Sequence, residues 1–561
     1  MDAREKYESW LKKLTLDDPL RAELELIGRD EAEIRDRFYQ DIEFGTAGLR
    51  GICGAGTNRM NVLTVGRATA GIAAYCLKSG EDVSRGVVIA YDCRYHSREF
   101  SELAAEIFAA QGIPVFLFPS LRPTPELSFA IRELHALSGV NMTASHNPKE
   151  YNGYKVYWED GAQISGAVSD GMTAEISARD YFDEIPRMPL AEAVAKGYVR
   201  MLGEEMDLTY LTYVKELAQR PDGELDLTVP VVYTPLNGAG SIPMKQIAEM
   251  RGFTSFSVVS EQEKPDPDFT TVPFPNPENP EAFAYAEKLG NENTADLLIA
   301  TDPDADRMAA EIRRPDGSYL ALNGNQTGAM LIAYMAESQK EQGRLSKNAA
   351  MIKSIVTGDF GRRICASYGI WVYEALTGFK NICGRIPELE KEGKEYFFGY
   401  EESIGCAPGE AVRDKDGIAA GMLLMEMAAW CRKRGCTLYD YLETLYQTYG
   451  YFAEAQVSFI LQGEAGKARI GRIMEAFRKQ GEALLPDVKQ TADYLHGYED
   501  IPVSNVLKFV LEDGSWFAMR PSGTEPKLKF YFYAVSDVRE KADARIAELK
   551  ETVNAAVEAV N

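Results

Sequence analysis

The chain has 561 residues, of which 45% are hydrophobic and 26% charged, and its 85 acidic residues outweigh 61 lysines and arginines for a net charge of −24. That surplus argues against nucleic acid and anionic membrane surfaces as partners, because both need a broad cationic face. Eight cysteines without a Cys-x-x-Cys pair argue against a zinc ribbon or a disulfide framework and fit a reducing compartment. With a charged N-terminus and no long apolar span, a cytoplasmic location is expected. This length suggests roughly four domains, with boundaries read near 205, 322 and 449, giving 1–205, 206–322, 323–449 and 450–561.

The first 40 or so residues read as helical, with Trp10, Leu11, Leu14, Leu20 and Leu24 as an apolar stripe. Phe44 to Gly51 is a glycine-rich loop ending near Arg50; it has neither the Lys-Ser/Thr of a P-loop nor the dinucleotide pattern. An α/β alternation follows: a strand over Val87–Tyr91, a helix over Phe100–Ala110, a strand over Pro114–Phe118, then Arg122-Pro-Thr-Pro and another helix. Such alternation predicts a largely parallel sheet. His96, between Arg94 and Arg98, is expected near a functional cleft, and His135 and His496 in structural roles. The apolar run Leu137–Ala144 then ends in Thr143-Ala-Ser-His-Asn-Pro148. A strand that presents Ser145 at its tip can display a nucleophile, but the Gly-x-Ser-x-Gly elbow is absent. His146 is adjacent, and neighbouring side chains diverge on an extended backbone, so no base is evident. Ser145 therefore reads as a serine that carries a group; the plain alternative is a polar turn with an Asn-Pro break.

The alternation repeats with strands over Val229–Tyr233 and Ser255–Val259, a helix over Pro243–Met250 and a Pro-rich loop from Pro265 to Pro280. After the apolar run Leu297–Ala300 come Asp302, Asp304 and Asp306, followed by Arg307. Three alternating carboxylates repel one another unless a cation lies among them, and hard oxygens suit Mg2+. An EF-hand is excluded because Arg307 and Arg313 stand where its Gly and Glu belong; a solvated acidic turn is the plain alternative. A third α/β stretch starts near Asn323, with a helix over Ala329–Ser338, and contains Gly399-Tyr-Glu-Glu-Ser-Ile-Gly405. Its carboxylates and hydroxyl suit sugar hydroxyls or, equally, a helix cap. The last stretch reads as α+β: strands over Val506–Leu511, Trp516–Met519 and Leu528–Ala534, and a helix over Val538–Ala559. Between its strands, Arg520-Pro-Ser-Gly-Thr-Glu-Pro-Lys527 offers many donors to a phosphate, or forms an ordinary hairpin loop.

These motifs, in this order and over nearly the whole chain, resemble the α-D-phosphohexomutase family, the phosphoglucomutases and phosphomannomutases. Pro265-Asp-Pro-Asp-Phe and Pro275-Asn-Pro-Glu resemble its longer phosphoglucomutase branch. The resemblance implies an α/β fold: three similar α/β domains with mixed sheets plus a C-terminal α+β domain around a central cleft. It also implies a phosphoserine at Ser145, extended through Tyr151-Asn-Gly-Tyr-Lys155, and Mg2+ held by Asp302, Asp304, Asp306 and the serine phosphate. Glu401 and Ser403 then read the sugar. Thr377-Gly-Phe-Lys380 and Arg413-Asp-Lys415-Asp-Gly contact the substrate along with Arg307, and Arg520, Ser522, Gly523, Thr524 and Lys527 bind phosphate. His146 orients the serine loop, and Lys155 and Arg50 are expected to assist proton transfer and charge stabilisation. A histidine that many relatives carry near the Glu-x-Ser or Arg-Asp-Lys-Asp run is missing, with Cys406 and Ala411 among the residues there.

The implied reaction interconverts α-D-glucose 1-phosphate and glucose 6-phosphate, with glucose 1,6-bisphosphate as intermediate and activator. Phosphomannomutase, phosphopentomutase or sugar-bisphosphate synthase activity would use the same fold. A non-catalytic relative would be expected to have lost the serine or an aspartate, and a metal-dependent phosphatase would have to admit water. Monomer and dimer stay open. With so acidic a chain, the site itself must be locally cationic, supplied by Arg50, Lys149, Lys155, Arg307, Lys380, Arg520 and Lys527. The C-terminal domain is expected to act as a hinged lid.

Overall fold

The structure, a computed structural model, describes residues 2–45, 48–461, 463–484, 487–522 and 527–560. It falls into two compact units, Met1–Asn323 with Ser403–Gly435, and Gly324–Glu402 with Cys436–Asn561. Among the described residues no helix is long and apolar enough to cross a membrane, and all eight cysteines are free.

The first unit opens with three helices, Ala3–Lys13, Pro19–Leu26 and Glu31–Phe38. Asp2, Asp18 and Asp30 each accept a backbone N–H at the start of the next helix, which breaks the apolar stripe into three pieces. Trp10, Leu14, Leu24, Ile34 and Phe38 fold inward as a small core of their own. The first sheet runs in the order Gly48–Ile52, Tyr151–Trp158, Ser138–Met142, Val87–Tyr91, Val115–Leu117, Val199–Met201. Val87–Tyr91 is buried throughout and pairs in parallel on both sides, as a continuous apolar run requires.

The sheet is mixed, as the family resemblance implies, with three of its five pairings parallel. Ser138–Met142 and Tyr151–Trp158 pair antiparallel, because residues 143–150 are too few for a helical crossover. The second sheet repeats the device. Its order is Tyr319–Leu322, Met308–Arg313, Leu297–Thr301, Val231–Thr234, Phe256–Val258, and the short 302–307 connection turns Leu297–Thr301 back into antiparallel Met308–Arg313. Helix Gly417–Lys433 belongs to this unit and packs on those two strands.

In the second unit, Trp371–Ala375, Ala349–Ser354 and Glu395–Glu401 run parallel. The C-terminal sheet is antiparallel throughout, in the order Tyr451–Ile460, Lys527–Ser536, Trp516–Pro521, Leu507–Leu511, Val488–Asp493. Helix Arg539–Ala559 covers one face. On the other, Tyr494, Trp516, Tyr531 and Tyr533 share a core with Ile355 and Val356.

Candidate active site

Ser145 follows strand Ser138–Met142 with a left-handed backbone, φ +54°, a conformation uncommon for a residue with a side chain. Its N–H donates to Thr143 Oγ1 at 2.8 Å, and its carbonyl accepts from the Arg94 guanidinium at 2.5 Å. Arg94 also donates to the carbonyls of Asn147, Pro148 and Tyr151, and pairs with Asp92 at 3.2 Å, both side chains fully buried. Phe269, from the Pro-rich loop, lies under its guanidinium at 5.1 Å. One cation thus gathers four carbonyls and sets the loop. Gly153 completes the fit, since a Cβ there would come within 2.4 Å of the Thr143 carbonyl oxygen.

The left-handed turn overturns one expectation. The backbone at Ser145 is not extended, so the adjacent side chains converge: His146 Nδ1 lies 3.1 Å from Ser145 Oγ. Burial, then Arg307 and Arg50, pull His146 well below the ordinary histidine range, leaving a neutral imidazole at pH 7. His96 is exposed and pairs instead with Glu99 Oε2 at 2.7 Å.

Ser145 Oγ donates to Asp302 Oδ2 at 2.5 Å, which joins the two motif loops. Asp302, Asp304 and Asp306 are all buried, and one carboxylate oxygen from each lies within 4.8 Å of the others. Their loop closes on itself: Ala305 takes φ +52°, its N–H donates to the Asp302 carbonyl, and Arg307 N–H donates to Asp302 Oδ1 at 3.0 Å. Lys155 Nζ, on the antiparallel strand, donates to Asp304 Oδ2 at 2.6 Å and Asp306 Oδ2 at 3.1 Å. Lys415 Nζ lies 3.3 Å from Asp306 Oδ2 and 3.0 Å from Asp414 Oδ1. Gly417 lets this segment approach the aspartate loop, since a Cβ there would come within 2.7 Å of the Ala305 carbonyl oxygen.

The three carboxylates are unequal. Burial, with Asp304 and Asp306 beside it, pushes Asp302 well above the usual carboxylate range. Burial also works against Asp306, but Lys155, Lys415 and Arg307 outweigh it and hold that carboxyl below the range. Burial disfavours the Lys155 ammonium, yet Asp304 and Asp306 hold it above the ordinary lysine range and favour the charged form. The Oδ1 atoms of Asp304 and Asp306 are buried without a hydrogen-bond partner. Orphaned hard oxygens beside a serine hydroxyl fit a divalent cation such as Mg2+, which Asp302, Asp304, Asp306 and Ser145 would hold.

Of the other predicted cations in this unit, Arg50 is exposed and donates to Asn147 Oδ1 at 3.2 Å, and Lys149 pairs with Asp268 at 3.1 Å. Ser403 stands half-buried in the turn before strand Gly405–Ala407. In the second unit three motifs meet. Glu401 accepts from Gly378 N–H at 2.5 Å, and Arg520 donates to Thr377 Oγ1 at 2.5 Å. Lys380 follows on helix Phe379–Gly384, its ammonium lowered by burial. Ser522 N–H donates to the Lys527 carbonyl at 2.7 Å, closing the base of this loop; Gly523 and Thr524 lie outside the described residues. Sequence reasoning missed the role of Arg94. The signal was there, for Asp92-Cys-Arg94 stands at the carboxyl end of a buried parallel strand, where α/β sheets place their ligand-binding groups.

Models of phosphoglucomutase/phosphomannomutase domains match the chain in four consecutive segments: alpha/beta/alpha domain I over residues 41–182, domain II over 209–314, domain III over 323–449, and the C-terminal domain over 467–550. The chain belongs to this family. A phosphoglucomutase of Staphylococcus aureus (strain USA300) is 35% identical over 540 residues, covering 92% of this chain and 95% of that one. The open form of Paramecium pp63/parafusin, a phosphoglucomutase, superposes with a TM-score of 0.71 at 19% identity, over 93% of this chain and 96% of that one. A putative phosphomannomutase from Thermus thermophilus gives 0.67 at 23% identity, over 92% and 99%. The chain is therefore an isomerase of the phosphoglucomutase/phosphomannomutase type with the expected four-domain architecture.

Proposed function

We propose that this enzyme interconverts α-D-glucose 1-phosphate and glucose 6-phosphate through a phosphorylated Ser145 and a bound glucose 1,6-bisphosphate. The observation that carries the reading is the 2.5 Å bond from Ser145 Oγ to Asp302 beside two orphaned aspartate oxygens. The S. aureus phosphoglucomutase supports the choice of glucose.

In the proposed first step a hydroxyl of the sugar attacks the phosphorus on Ser145. The P–Oγ bond breaks as the new P–O bond forms, and the sugar hydroxyl gives up its proton. Bound Mg2+ supplies charge neutralisation at the transferred phosphoryl group. Arg94 and Thr143 keep Oγ aimed, Lys155 binds Asp304 and Asp306 together, and Arg307, Arg50 and Lys415 add positive charge to a very acidic chain. His146, neutral and within reach of Oγ, is the better-placed proton carrier at this loop. Glu401 and Ser403 accept from sugar hydroxyls. Arg520, Ser522, Gly523, Thr524 and Lys527 take the phosphate that is not moving. The bisphosphate then turns and returns its other phosphate to Ser145.

The test is turnover of glucose 1-phosphate, mannose 1-phosphate and a pentose 1-phosphate by the purified chain, with intact mass measured before and after a sugar bisphosphate. A gain of one phosphoryl group that is lost in Ser145→Ala, with glucose 1-phosphate the best substrate, is expected. Preference for mannose or pentose would move the assignment within the family, and full turnover by Ser145→Ala would end the phosphoserine mechanism.

A further inference from the structure

We propose that Thr124 is a positioning residue for the aspartate cation site, with Asn141 fixing the direction in which its hydroxyl points. Thr124 is fully buried and opens helix Thr124–Glu133 just after Pro123. The first N–H groups of a helix have no partner inside it, and that of Thr124 donates to the Asp304 carbonyl at 2.9 Å. Its hydroxyl donates to Asp304 Oδ2 at 2.6 Å. One residue thus grips Asp304 by main chain and side chain together.

The direction of that hydroxyl is forced. Asn141 Nδ2 donates to Thr124 Oγ1 at 2.7 Å, which occupies a lone pair and leaves the O–H to point at the carboxylate. The reverse amide orientation would draw the hydroxyl proton to Asn141 and set two oxygens face to face at the 2.6 Å contact, with no proton between them. Asn141 lies on strand Ser138–Met142, the strand that delivers Ser145, and pairs across the sheet with Lys155. Lys155 donates to the same Oδ2. Two donors therefore saturate Oδ2, and Oδ1 is the atom left without a partner. The chain from Asn141 through Thr124 selects which oxygen of Asp304 is offered to a cation, and it ties that choice to the strand bearing the serine.

This rests on the three aspartates holding Mg2+, and the experiment separates the two ideas. Mg2+ and Mn2+ binding to the metal-stripped full-length protein is measured by titration calorimetry for the wild type, Thr124→Val, Thr124→Ser and Asn141→Ala, alongside melting in chelator. Loss of an outer hydrogen bond to a metal ligand commonly weakens binding by about 10- to 100-fold. Thr124→Val is expected to lose about tenfold in affinity, Thr124→Ser to restore most of it, and Asn141→Ala, which frees the hydroxyl to turn, to lose less than Thr124→Val. Wild-type binding matched within about twofold by Thr124→Val, or by Thr124→Ala should Thr124→Val not fold, would overturn the role of Thr124, and the same result for Asn141→Ala would overturn that of Asn141. So would a Thr124→Ser protein no better than Thr124→Val. A wild-type chain that binds neither cation would sink the metal reading itself.

Discussion

At the scale of residues, the aspartate triad is held in tension, and Asp302 and Asp306 answer removal differently. Asp302 is crowded by like charge, and its bonds come from a serine hydroxyl and a backbone N–H. Asp306 instead bonds Lys155 and lies beside Lys415. In chelator, Asp302→Asn should therefore melt no lower than the wild type, and by relieving repulsion it should gain up to about 2 kcal/mol. Asp306→Asn strips a buried partner from two ammonium groups and should lose about 3 kcal/mol. Both should lose cation binding. Melting curves of the two variants in chelator decide it; equal shifts would mean that the charges are screened and the asymmetry carries no weight. Sequence alone treats the three aspartates alike, because alternation along the chain says nothing about which lysine each one meets. Lys155 and Lys415 come from segments far from the aspartates along the chain, one before them and one after, and only the fold assigns them.

Among elements, the candidate loops share one setting, a connection between antiparallel strands. The serine loop joins Ser138–Met142 to Tyr151–Trp158, the aspartate loop joins Leu297–Thr301 to Met308–Arg313, and the phosphate loop joins Trp516–Pro521 to Lys527–Ser536. Each stands where an apolar run stops and a polar stretch begins, which is the signal that singles them out in the sequence. The antiparallel flanks of the first two were not legible, since runs such as Leu297–Ala300 and Val87–Tyr91 look alike and only the connection length separates them. Helix Gly417–Lys433 was less legible still. Its N-cap Asp416 accepts from Ala419 N–H at 2.8 Å and Tyr210 O–H at 2.9 Å, yet burial pushes its carboxyl up to about 6. An unfolded aspartate sits near about 3.9, so the folded state takes up a proton between about 4 and 6. The stability this contributes is full below about 4 and is lost as pH rises through about 6, on the order of 2–3 kcal/mol. Asn caps a helix as well as Asp does. Asp416→Asn should therefore gain stability relative to the wild type as pH rises from about 4 to about 7, seen as converging or crossing melting temperatures; a constant difference across that range would place the carboxyl at its ordinary value.

On the scale of the whole molecule, the expected lid meets a physical obstacle inside the second unit. The C-terminal sheet shares a core with Ile355 and Val356 and is pinned to the parallel strands by polar contacts. Trp516 Nε1 donates to Asp359 Oδ2 at 3.0 Å, and Lys508 Nζ donates to the Ile355 carbonyl at 2.8 Å. Fully buried Lys353 lies between Asp359 and Glu374, at 3.1 and 3.2 Å. Burial pulls Lys508 down to about 8 although Glu374 favours its charge. Rotating the C-terminal domain alone would detach Lys508 from its acceptor and expose Trp516, at a cost of several kcal/mol. Arg520 is carried on that sheet and touches Thr377, two residues past strand Trp371–Ala375, so Arg520 and the Thr377–Lys380 loop should act as one piece. We therefore expect residues 349–376 to open together with 507–522 and 527–533. Hydrogen exchange should give the two segments the same opening free energy, and glucose 1,6-bisphosphate should raise protection in both in parallel. Arg520→Ala, which also removes the contact to Thr377, should raise KM for the sugar phosphate and lower the ligand-induced protection in both segments. A C-terminal segment that opens at much lower free energy than 349–376, or that alone responds to the bisphosphate, would restore the independent lid and show that the buried lysine cluster is no obstacle to it.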